Sequence, residues 1–447
     1  MPPAFTLDQL RTEVSQDRID TVLLALTDMQ GRLQGKRLVA QHFLDEVVAH
    51  GAEACNYLLA VDVEMNTVDG YAMSSWEGGY GDFEMVPDLS TLRRIPWHEK
   101  TALCLADLQW AGGEPVVASP RQILRAQLER LGERGLEAFA ATELEFIVFR
   151  DTYEEAFDKG YRELRPANQY NVDYSLMGSA RVEKLLRRIR NQMGEAGLVV
   201  ESSKGECNDG QHEINFRYGP ALRIADEHSI YKTGAKEIAA QDELSLTFMA
   251  KYDAREGSSC HIHFSLLSAD DGTPVFPADQ ALFERFIAGQ LACLRELTLL
   301  FAPNVNSYKR FAQGSFAPTA VAWGKDNRTC SIRVVGHGGG LRFENRLPGA
   351  DVNPYLAIAA MIAAGLHGVD AQLELEPAFE GNAYVADKPQ VPKTLQAARE
   401  LFASSDVARA AFGQDVVDHY LNMADVELEA FHAAVTDWER FRGFERL

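Results

Sequence analysis

The sequence has few of the features that mark a disulfide scaffold, a zinc protein or a nucleic-acid-binding protein. Its six cysteines include no C-x-x-C pair, which argues against a short zinc or redox motif and indicates reduced, mostly buried thiols. Its 44 basic residues are outnumbered by 65 acidic ones, giving a net charge of −21 with no basic stripe. Nucleic acid and an anionic membrane surface are therefore not expected as partners.

Long apolar runs and nucleotide-binding glycine motifs are also absent. The most apolar run, Tyr355–Leu366, is too short to span a bilayer, and the first ten residues lack a basic start followed by an apolar core. We therefore expect a cytoplasmic protein. Neither G-x-x-x-x-G-K-[ST] nor G-x-G-x-x-G occurs, so a nucleotide would be bound without a P-loop or a Rossmann turn.

Length and composition predict a globular protein of two unequal domains. The chain has 447 residues, of which 46% are hydrophobic and 24% charged. The clearest boundary is the segment AGGEP at 111–115, because Ser119 and Pro120 behind it are typical of a helix start. We predict an N-terminal domain of residues 1–113, with a strand near Tyr57–Val63, and a second domain of residues 114–447. Helices and strands alternate in the second, which indicates the α+β class.

Four predicted strands carry polar side chains on one face and apolar side chains on the other. Successive residues of a strand point to opposite faces, so the pattern repeats every second residue. The polar positions, with Glu206 in a lead-in segment, are Glu143, Glu145, Glu213, His261, His263, Ser265, Arg342, Glu344 and Arg346. A charge triplet such as 342–346 alone is more typical of a solvated face. Four such strands together predict a sheet whose concave side is a charged pocket.

Five carboxylates and one imidazole in a single pocket require cations between them, because neighbouring negative charges raise each other's pKa. Hard oxygen donors with one histidine suit Mg²⁺ or Mn²⁺, and their number suits two or three ions. Arginines near the same segments could neutralise the charge that spreads during phosphoryl transfer. They are Arg310, Arg328, Arg333, Arg342 and Arg346.

Six segments together resemble the glutamine synthetase family. They are TELEFIVF, GECNDGQHEINF, GSSCHIHFSL, SYKR, DNRTCSIR and RFENRLPGADVNPYLA, and the resemblance covers nearly the whole chain. It implies a small β-grasp N-terminal domain and a catalytic domain whose curved antiparallel sheet is flanked by helices. It also implies a homo-dodecamer of two stacked hexameric rings, with each site shared between neighbours. The implied reaction is ATP-driven formation of γ-glutamyl phosphate, followed by attack of an amine.

The same resemblance implies a role for each site residue. The first metal ion would be held by Glu145, Glu206 and Glu213, and the second by Glu143, His261 and Glu344. ATP, as co-substrate, would be bound by His263, Ser265, Arg333 and Arg342. Glutamate would be bound by Arg310 and Arg346, and the transferred phosphate by Arg328.

Departures from the family pattern affect the acceptor side of the site. The family has a Glu six residues after the SYKR arginine, on a flap that closes over ammonium, whereas Phe316 stands there in this chain. The ammonium-binding Asp of the family has no clear match, and Asp62 or Glu64 could replace it. The usual Asn-Gly before the metal histidine is Glu256–Gly257, which leaves the contacts of Gly257 with glutamate open.

These departures are similar to the branch of the family that joins glutamate to organic amines, the γ-glutamylethanolamide and γ-glutamylpolyamine synthetases. We expect a glutamate–amine ligase, with ethanolamine favoured over polyamines because Phe316 is uncharged. Two alternatives stay open at this point. One is an ammonia-using glutamine synthetase, and Phe316 argues against it. The other is a catalytically inactive structural or sensing relative, and the complete set of metal ligands argues against that.

Overall fold

Two β-sheets organise residues 5–447, the part of the chain that the computed structural model describes. The first sheet has the order β2-β1-β5-β4-β3, with β1 parallel to β5 and the other neighbours antiparallel. Its strands are β1 (Thr21–Thr27), β2 (Leu33–Val39), β3 (Ala52–Cys55), β4 (Asp82–Arg94) and β5 (Thr101–Gln109).

Helical segments cover one face of this small sheet. They are α1 (Leu7–Ser15), and α2 (Ala40–His42) and α3 (Val48–His50) joined by a π-helical turn at Phe43–Val47. Phe43 and Val47 are buried in one hydrophobic cluster with strand residues such as Val22 and Phe83. A mixed sheet covered by one helical layer is the β-grasp arrangement that the family resemblance implied.

The predicted strand near Tyr57–Val63 is wrong. Residues Asn56–Leu59 form a 3₁₀ helix, and Val61 makes only an isolated bridge with Thr67. A short apolar run is compatible with either a buried strand or a buried helical turn, so its composition alone does not decide between them. The buried side chain of Asn56 donates to the Met73 carbonyl and accepts from Ser74, which ties the turn to the following loop.

The second sheet is larger and has the order β12-β13-β14-β11-β6-β8-β7, antiparallel except for β12 and β13. Two short strands, β9 and β10, pair with β6 beside this path. The strands are β6 (Leu136–Phe149), β7 (Val200–Gly205), β8 (Gln211–Phe216), β9 (Gly219–Pro220), β10 (Ser245–Thr247), β11 (Cys260–Ser268), β12 (Trp323–Lys325), β13 (Ile332–Val335) and β14 (Arg342–Asn345).

Helices connect and flank these strands. They are α4 (Pro120–Gly132), α5 (Tyr153–Asp158), α6 (Leu176–Ser179), α7 (Glu183–Glu195), α8 (Ala221–Gln241), α9 (Val275–Ala278), α10 (Gln280–Cys293), α11 (Thr298–Phe301), α12 (Pro354–Asp370), α13 (Leu395–Ala403), α14 (Asp406–Phe412), α15 (Gln414–Ala433) and α16 (Asp437–Gly443). Further 3₁₀ turns lie at Ala180–Val182, Val305–Arg310, Gly338–Gly340 and Ala383–Val385. Within residues 5–447, no helix is both long and apolar enough to cross a bilayer.

Apolar packing on the back of the second sheet sets the direction of its polar face. Phe264 of β11 and Phe343 of β14 pack on Phe286 of α10, with ring centroids 5.4 and 6.0 Å from it. Helix α12 packs closely against α10. A Cβ atom added at Gly289 of α10 would lie 2.0 Å from the carbonyl oxygen of Ala364 of α12. A slip of one residue would turn the charged side chains into this core, so the packing fixes the register of the site strands.

One buried arginine links the two sheets through a helix. Arg121 of α4 donates to Asp88 and Asp107 of the first sheet and to Asp226 of α8. Its side chain is only 3% exposed, so each charge is compensated within the network.

The last strand of the first sheet ends at Gln109 and the second sheet begins at Leu136. The division into domains after residue 113 stays a prediction.

Candidate active site

Strand register brings the predicted polar positions of the second sheet side by side. His261 of β11 lies opposite Glu143 of β6, Glu145 of β6 opposite Glu213 of β8, and Arg333 of β13 opposite Glu344. Glu206 follows directly after β7, the strand next to β8. The polar face therefore runs without a break across neighbouring strands from β13 to β7.

The first group of possible metal ligands consists of Glu145, Glu206 and Glu213. Each offers an oxygen atom, and these atoms all lie within 4.8 Å of one another. Glu145 is oriented through its Oε2 atom, which accepts from the Ser259 amide at 2.8 Å and from Gln211 at 3.0 Å. Such outer partners leave the second oxygen of the carboxylate to face a cation.

The electrostatics of this group favour a bound cation. Burial raises the pKa of Glu213 to about 7, and the charges of Glu143 and Glu145 act in the same direction, while Lys204 opposes them. A raised pKa means that Glu213 takes up a proton more readily when no metal ion is bound. That proton partly relieves the repulsion between the neighbouring carboxylates. A hard divalent cation would supply that charge with oxygen ligands.

The second group of possible ligands consists of Glu143, His261 and Glu344. The Nδ1 atom of His261 lies 3.5 Å from Glu143 and 3.4 Å from Glu344, so it points between the two carboxylates. Burial, together with Arg346, lowers the pKa of His261, which keeps the imidazole neutral and its lone pair available to a metal ion. Burial alone would raise the pKa of Glu344, but its electrostatic interactions with His261 and Arg346 lower it below its ordinary value.

His263 joins this group to the arginines. Its Nε2 atom lies 2.9 Å from Glu143, and its Nδ1 atom accepts from Nε of Arg342 at 3.2 Å. Because Nδ1 is an acceptor, the proton of the neutral ring is on Nε2 and is donated to Glu143. Burial would raise the pKa of Glu143, but hydrogen bonds from His261 and His263 lower it. Ser265, two residues further along the same face, is half-buried.

The other arginines near the site differ in what they contact. Arg333 donates to Glu344 at 2.9 Å and to Asp326 at 3.0 Å, while Arg346 donates to the second oxygen of Glu344. Arg310 is fully buried and donates to the carbonyl groups of Leu347 at 2.7 Å and Arg346 at 3.0 Å. Arg310 therefore holds the chain that follows β14 in place.

Gly257 makes room for Arg310. A Cβ atom at position 257 would lie 2.7 Å from Cγ of Arg310 and 2.5 Å from the Ala250 carbonyl. No side chain fits there without a shift of the backbone. The Gly257 carbonyl accepts from Gln211, the same residue that orients Glu145. The predicted glutamate position and the first metal group are thus coupled through one amide side chain.

Phe316 lies at the rim of the polar face. Its side chain is 56% exposed, and its backbone has a φ of +57°, a conformation that is rare for a bulky residue. The Phe316 carbonyl accepts from Nη2 of Arg346 at 3.3 Å. The backbone is thereby tied to a site arginine, while more than half of the side chain is exposed.

Three of the predicted catalytic residues are not brought to these groups within the described part of one chain. Arg328 is exposed and lines an open depression of about 550 Å³ with Asn327 and Phe379. Asp62 accepts from the backbone and side chain of Asn66, and Glu64 is exposed in the same loop. Their catalytic roles stay predictions.

Sequence reasoning missed the residues that support the ligands. Gln211 and Ser259 orient Glu145, Asn215 donates to Glu213 at 2.8 Å, and Lys204 forms an ion pair with Glu206. Lys204 carried a usable signal, because it precedes Glu206 by two residues in a strand-like segment. For Gln211 and Ser259 no local signal existed, since their role depends on the pairing of distant strands.

The donor sets fit divalent metal ions of the hard type. Two groups of three ligands, rich in carboxylate oxygen and with one neutral imidazole, match Mg²⁺ or Mn²⁺ better than zinc. Fold and site together define a metal-dependent enzyme whose arginines suit an anionic substrate.

Residues 117–442 match the family model described as glutamine synthetase, catalytic domain. The chain therefore belongs to the glutamine synthetase family, whose enzymes use ATP and divalent metal ions. The predicted fold class is confirmed by this match and by the solved structures that the chain resembles.

Relatives and solved structures of similar length match nearly the whole chain. The chain is 64% identical over 447 residues to gamma-glutamylethanolamide synthetase GlnA4 of Streptomyces coelicolor, covering 100% of this chain and 97% of the relative. It is 38% identical to glutamate–isopropylamine ligase of Pseudomonas sp., covering 97% of each. A solved GmaS/ADP complex is similar with a TM-score of 0.85 and 25% identity, covering 98% of this chain and 99% of that one.

Proposed function

We propose that this protein is an ATP-dependent ligase that joins the γ-carboxyl group of glutamate to a small organic amine, with ethanolamine preferred and polyamines next. Full-length similarity to a gamma-glutamylethanolamide synthetase and to a glutamate–isopropylamine ligase supports this proposal. Both names specify an organic amine rather than ammonia. The complete set of metal ligands supports an active enzyme over an inactive relative.

The observation that carries the choice of acceptor is Phe316. At this position an acidic flap would attract an ammonium ion and accept its proton, whereas an uncharged ring does neither. The ring is exposed and the backbone of the same residue contacts Arg346, so an alkyl amine bound beside Arg346 can cover the ring with its methylene groups. Ammonium therefore finds no carboxylate partner at position 316, whereas a larger amine gains apolar contact with the ring.

The reaction has two steps that balance in atoms and charge. An oxygen of the glutamate γ-carboxylate attacks the γ-phosphorus of ATP, giving γ-glutamyl phosphate and ADP. The neutral amine then attacks the acyl carbon, phosphate leaves, and the amine nitrogen loses a proton to a carboxylate. Activation is required because a carboxylate is a poor acceptor for an amine, and the acyl phosphate supplies the leaving group.

Residues of this chain position the substrates in this scheme. Arg346 and Arg310 orient the carboxylates of glutamate, with Gly257 beside Arg310. Arg333, Arg342, His263 and Ser265 face the nucleotide, and Arg328 faces the transferred phosphate. Arg333 and Arg346 are held by Glu344, which keeps two guanidinium groups in place before any substrate arrives.

Two or three Mg²⁺ or Mn²⁺ ions are part of the proposal, bound by the two groups of ligands described above. When bound, such ions neutralise phosphate oxygens and stabilise the charge that develops in phosphoryl transfer. In the part of the chain that the structure describes, the Lys or Arg side chains paired with these carboxylates are Arg333 and Arg346 on Glu344 and Lys204 on Glu206 and Glu213.

Assembly and domain structure complete the proposal. We propose a homo-dodecamer of two stacked hexameric rings in which Asp62 or Glu64 of one subunit accepts the amine proton in a neighbour's site. Within residues 5–447, neither residue belongs to the two groups of metal ligands, which agrees with such sharing. We also propose that residues 1–113 form the β-grasp domain and residues 114–447 the catalytic domain.

An amine panel tests the function. The protein is incubated with ATP, glutamate, Mg²⁺ and one amine at a time, including ammonium, ethanolamine, isopropylamine and putrescine. Phosphate release is measured together with the mass of the amide product. We expect ethanolamine to give the highest kcat/KM. Equal efficiency with ammonium would contradict the choice of acceptor, and no turnover with any amine would favour the inactive relative.

A further inference from the structure

Lys204 places a positive charge inside the first group of metal ligands. It lies on β7 directly opposite Glu213 of β8. Its Nζ atom forms an ion pair with Glu206 and lies 3.9 Å from Oε1 of Glu213. An ammonium group from the chain therefore contacts one and lies within ion-pair distance of another of the three carboxylates that the proposed function assigns to one metal ion.

The surroundings of Lys204 hold its side chain in this position. The side chain is 23% exposed, and Nζ lies 4.9 Å from the ring centroid of Tyr174. Tyr174 itself has a φ of +53°, so the loop presents the ring in an uncommon backbone conformation. Carboxylates on one side and an aromatic face on the other are both favourable for a cation.

Three carboxylate groups within 4.8 Å repel one another unless positive charge lies between them. A flexible lysine on the solvent side would give little compensation, because exposed ion pairs contribute weakly. Lys204 is instead part-buried on a strand whose register places it opposite Glu213, so its ammonium group lies beside the carboxylates in the metal-free protein.

We propose that Lys204 is a built-in counter-ion of the first metal group, which holds the carboxylates together in the metal-free protein and competes with the divalent ion for them. A divalent ion at Glu206 and Glu213 is repelled by the ammonium group and has to displace it from those oxygens. The Tyr174 ring gives the displaced ammonium group a favourable place to stay. Lys204 is thus a positioning residue that sets the metal affinity of the site.

This inference rests on the metal-ligand assignment within the proposed function and is independent of which amine is the acceptor. It is tested without ATP, glutamate or amine, so a failed amine panel and a failed inference are distinguishable. The variants are Lys204→Met, which removes the charge at similar volume, and Lys204→Arg, which retains it. Lys388→Met is a matched control, because Lys388 is 25% exposed and pairs with Glu376 at 2.7 Å, outside the metal groups.

Two properties of the full-length protein are measured: the melting temperature in the presence of a chelator and the affinity for Mn²⁺ by isothermal titration calorimetry. We expect Lys204→Met to lower the metal-free melting temperature by about 2 °C or more. We expect the same variant to bind Mn²⁺ about tenfold more tightly, because the competing charge is gone. Lys204→Arg should keep both properties near their wild-type values, and Lys388→Met should leave the Mn²⁺ affinity unchanged.

The proposal requires both changes together. A lower melting temperature with unchanged or weaker Mn²⁺ binding would mean that Lys204 is only structural, and would overturn it. Unchanged metal-free stability in Lys204→Met would overturn it as well. Tighter Mn²⁺ binding in Lys388→Met would show that the affinity follows the net charge of the protein, and would also overturn the proposal.

Discussion

Replacing Phe316 with glutamate should move the acceptor preference from ethanolamine toward ammonium. The backbone contact at this position does not depend on the side chain, since the Phe316 carbonyl is what accepts from Arg346. Both residues are also L-amino acids at the same φ of +57°, so the exchange adds no new kind of backbone strain. The variant therefore isolates the ring and its lack of charge.

The magnitude follows from burial and charge. Ethanolamine has two methylene groups, and covering each on the ring contributes about 0.8 kcal/mol. Their sum of about 1.6 kcal/mol corresponds to roughly 15-fold in affinity. A carboxylate near the amine adds attraction for ammonium of about 1 kcal/mol in a half-exposed position. Together these terms give about 2.6 kcal/mol, so we expect the ratio of kcat/KM for ethanolamine over ammonium to fall by about 80-fold in Phe316→Glu.

The assay measures both kcat/KM values by phosphate release and confirms each product by mass. Phe316→Leu keeps an apolar side chain and should change the ratio by less than about fivefold. Phe157→Glu introduces the same charge at another exposed phenylalanine, on α5, and should leave the ratio unchanged. If Phe316→Glu leaves the ratio unaltered, or Phe157→Glu alters it equally, the reasoning about the flap position is refuted.

The remaining predictions concern the ligands, the pH dependence and the assembly. Glu344→Gln should abolish amide formation and lower the metal-free stability by about 3 kcal/mol, because Arg346 loses a buried partner. Glu213→Gln should also abolish activity, but its metal-free melting temperature should be equal to or higher than that of the wild type, since the exchange removes a carboxylate from a repulsive group. An equal loss of melting temperature in Glu344→Gln and Glu213→Gln would contradict this. Because burial raises the pKa of Glu213 to about 7, the metal-free group holds a proton below that pH and must release it to bind metal. Mn²⁺ affinity should therefore rise with pH up to about 7 and then level off, and a flat calorimetric profile between about pH 5 and 7 would contradict this. Light scattering should show a large ring oligomer with inactive dissociated subunits, and a fully active monomer would refute the shared site.

Local patterns in the sequence were sufficient for the elements of the site. The predicted helix start at Ser119 and Pro120 is confirmed, since α4 begins at Pro120 with Ser119 at its N-cap, and such a start depends only on neighbouring residues. The same order of a capping residue and a proline stands at the start of α12, where the side chain of Asn353 accepts from the Tyr355 amide and Pro354 occupies the first turn. Alternation along single strands predicted that Glu143 and Glu145 share a face, since that follows from backbone geometry within a few residues.

The relation between distant strands required the tertiary structure. Nothing local indicates that His261 lies opposite Glu143, because this pairing depends on how the apolar back of the sheet packs on α10 and α12. The same holds for the place of Lys204 among the carboxylates and for the burial of Arg310 against backbone carbonyls. The apolar residues near Tyr57 are a further example. Their composition predicted burial, but it did not decide whether they form a strand or a helical turn. The sequence by itself determined which residues have side chains suited to metal, phosphate and amine, because residue type and short-range geometry decide that. Only the tertiary structure decided which of them meet, because register and burial depend on contacts between segments far apart in the chain.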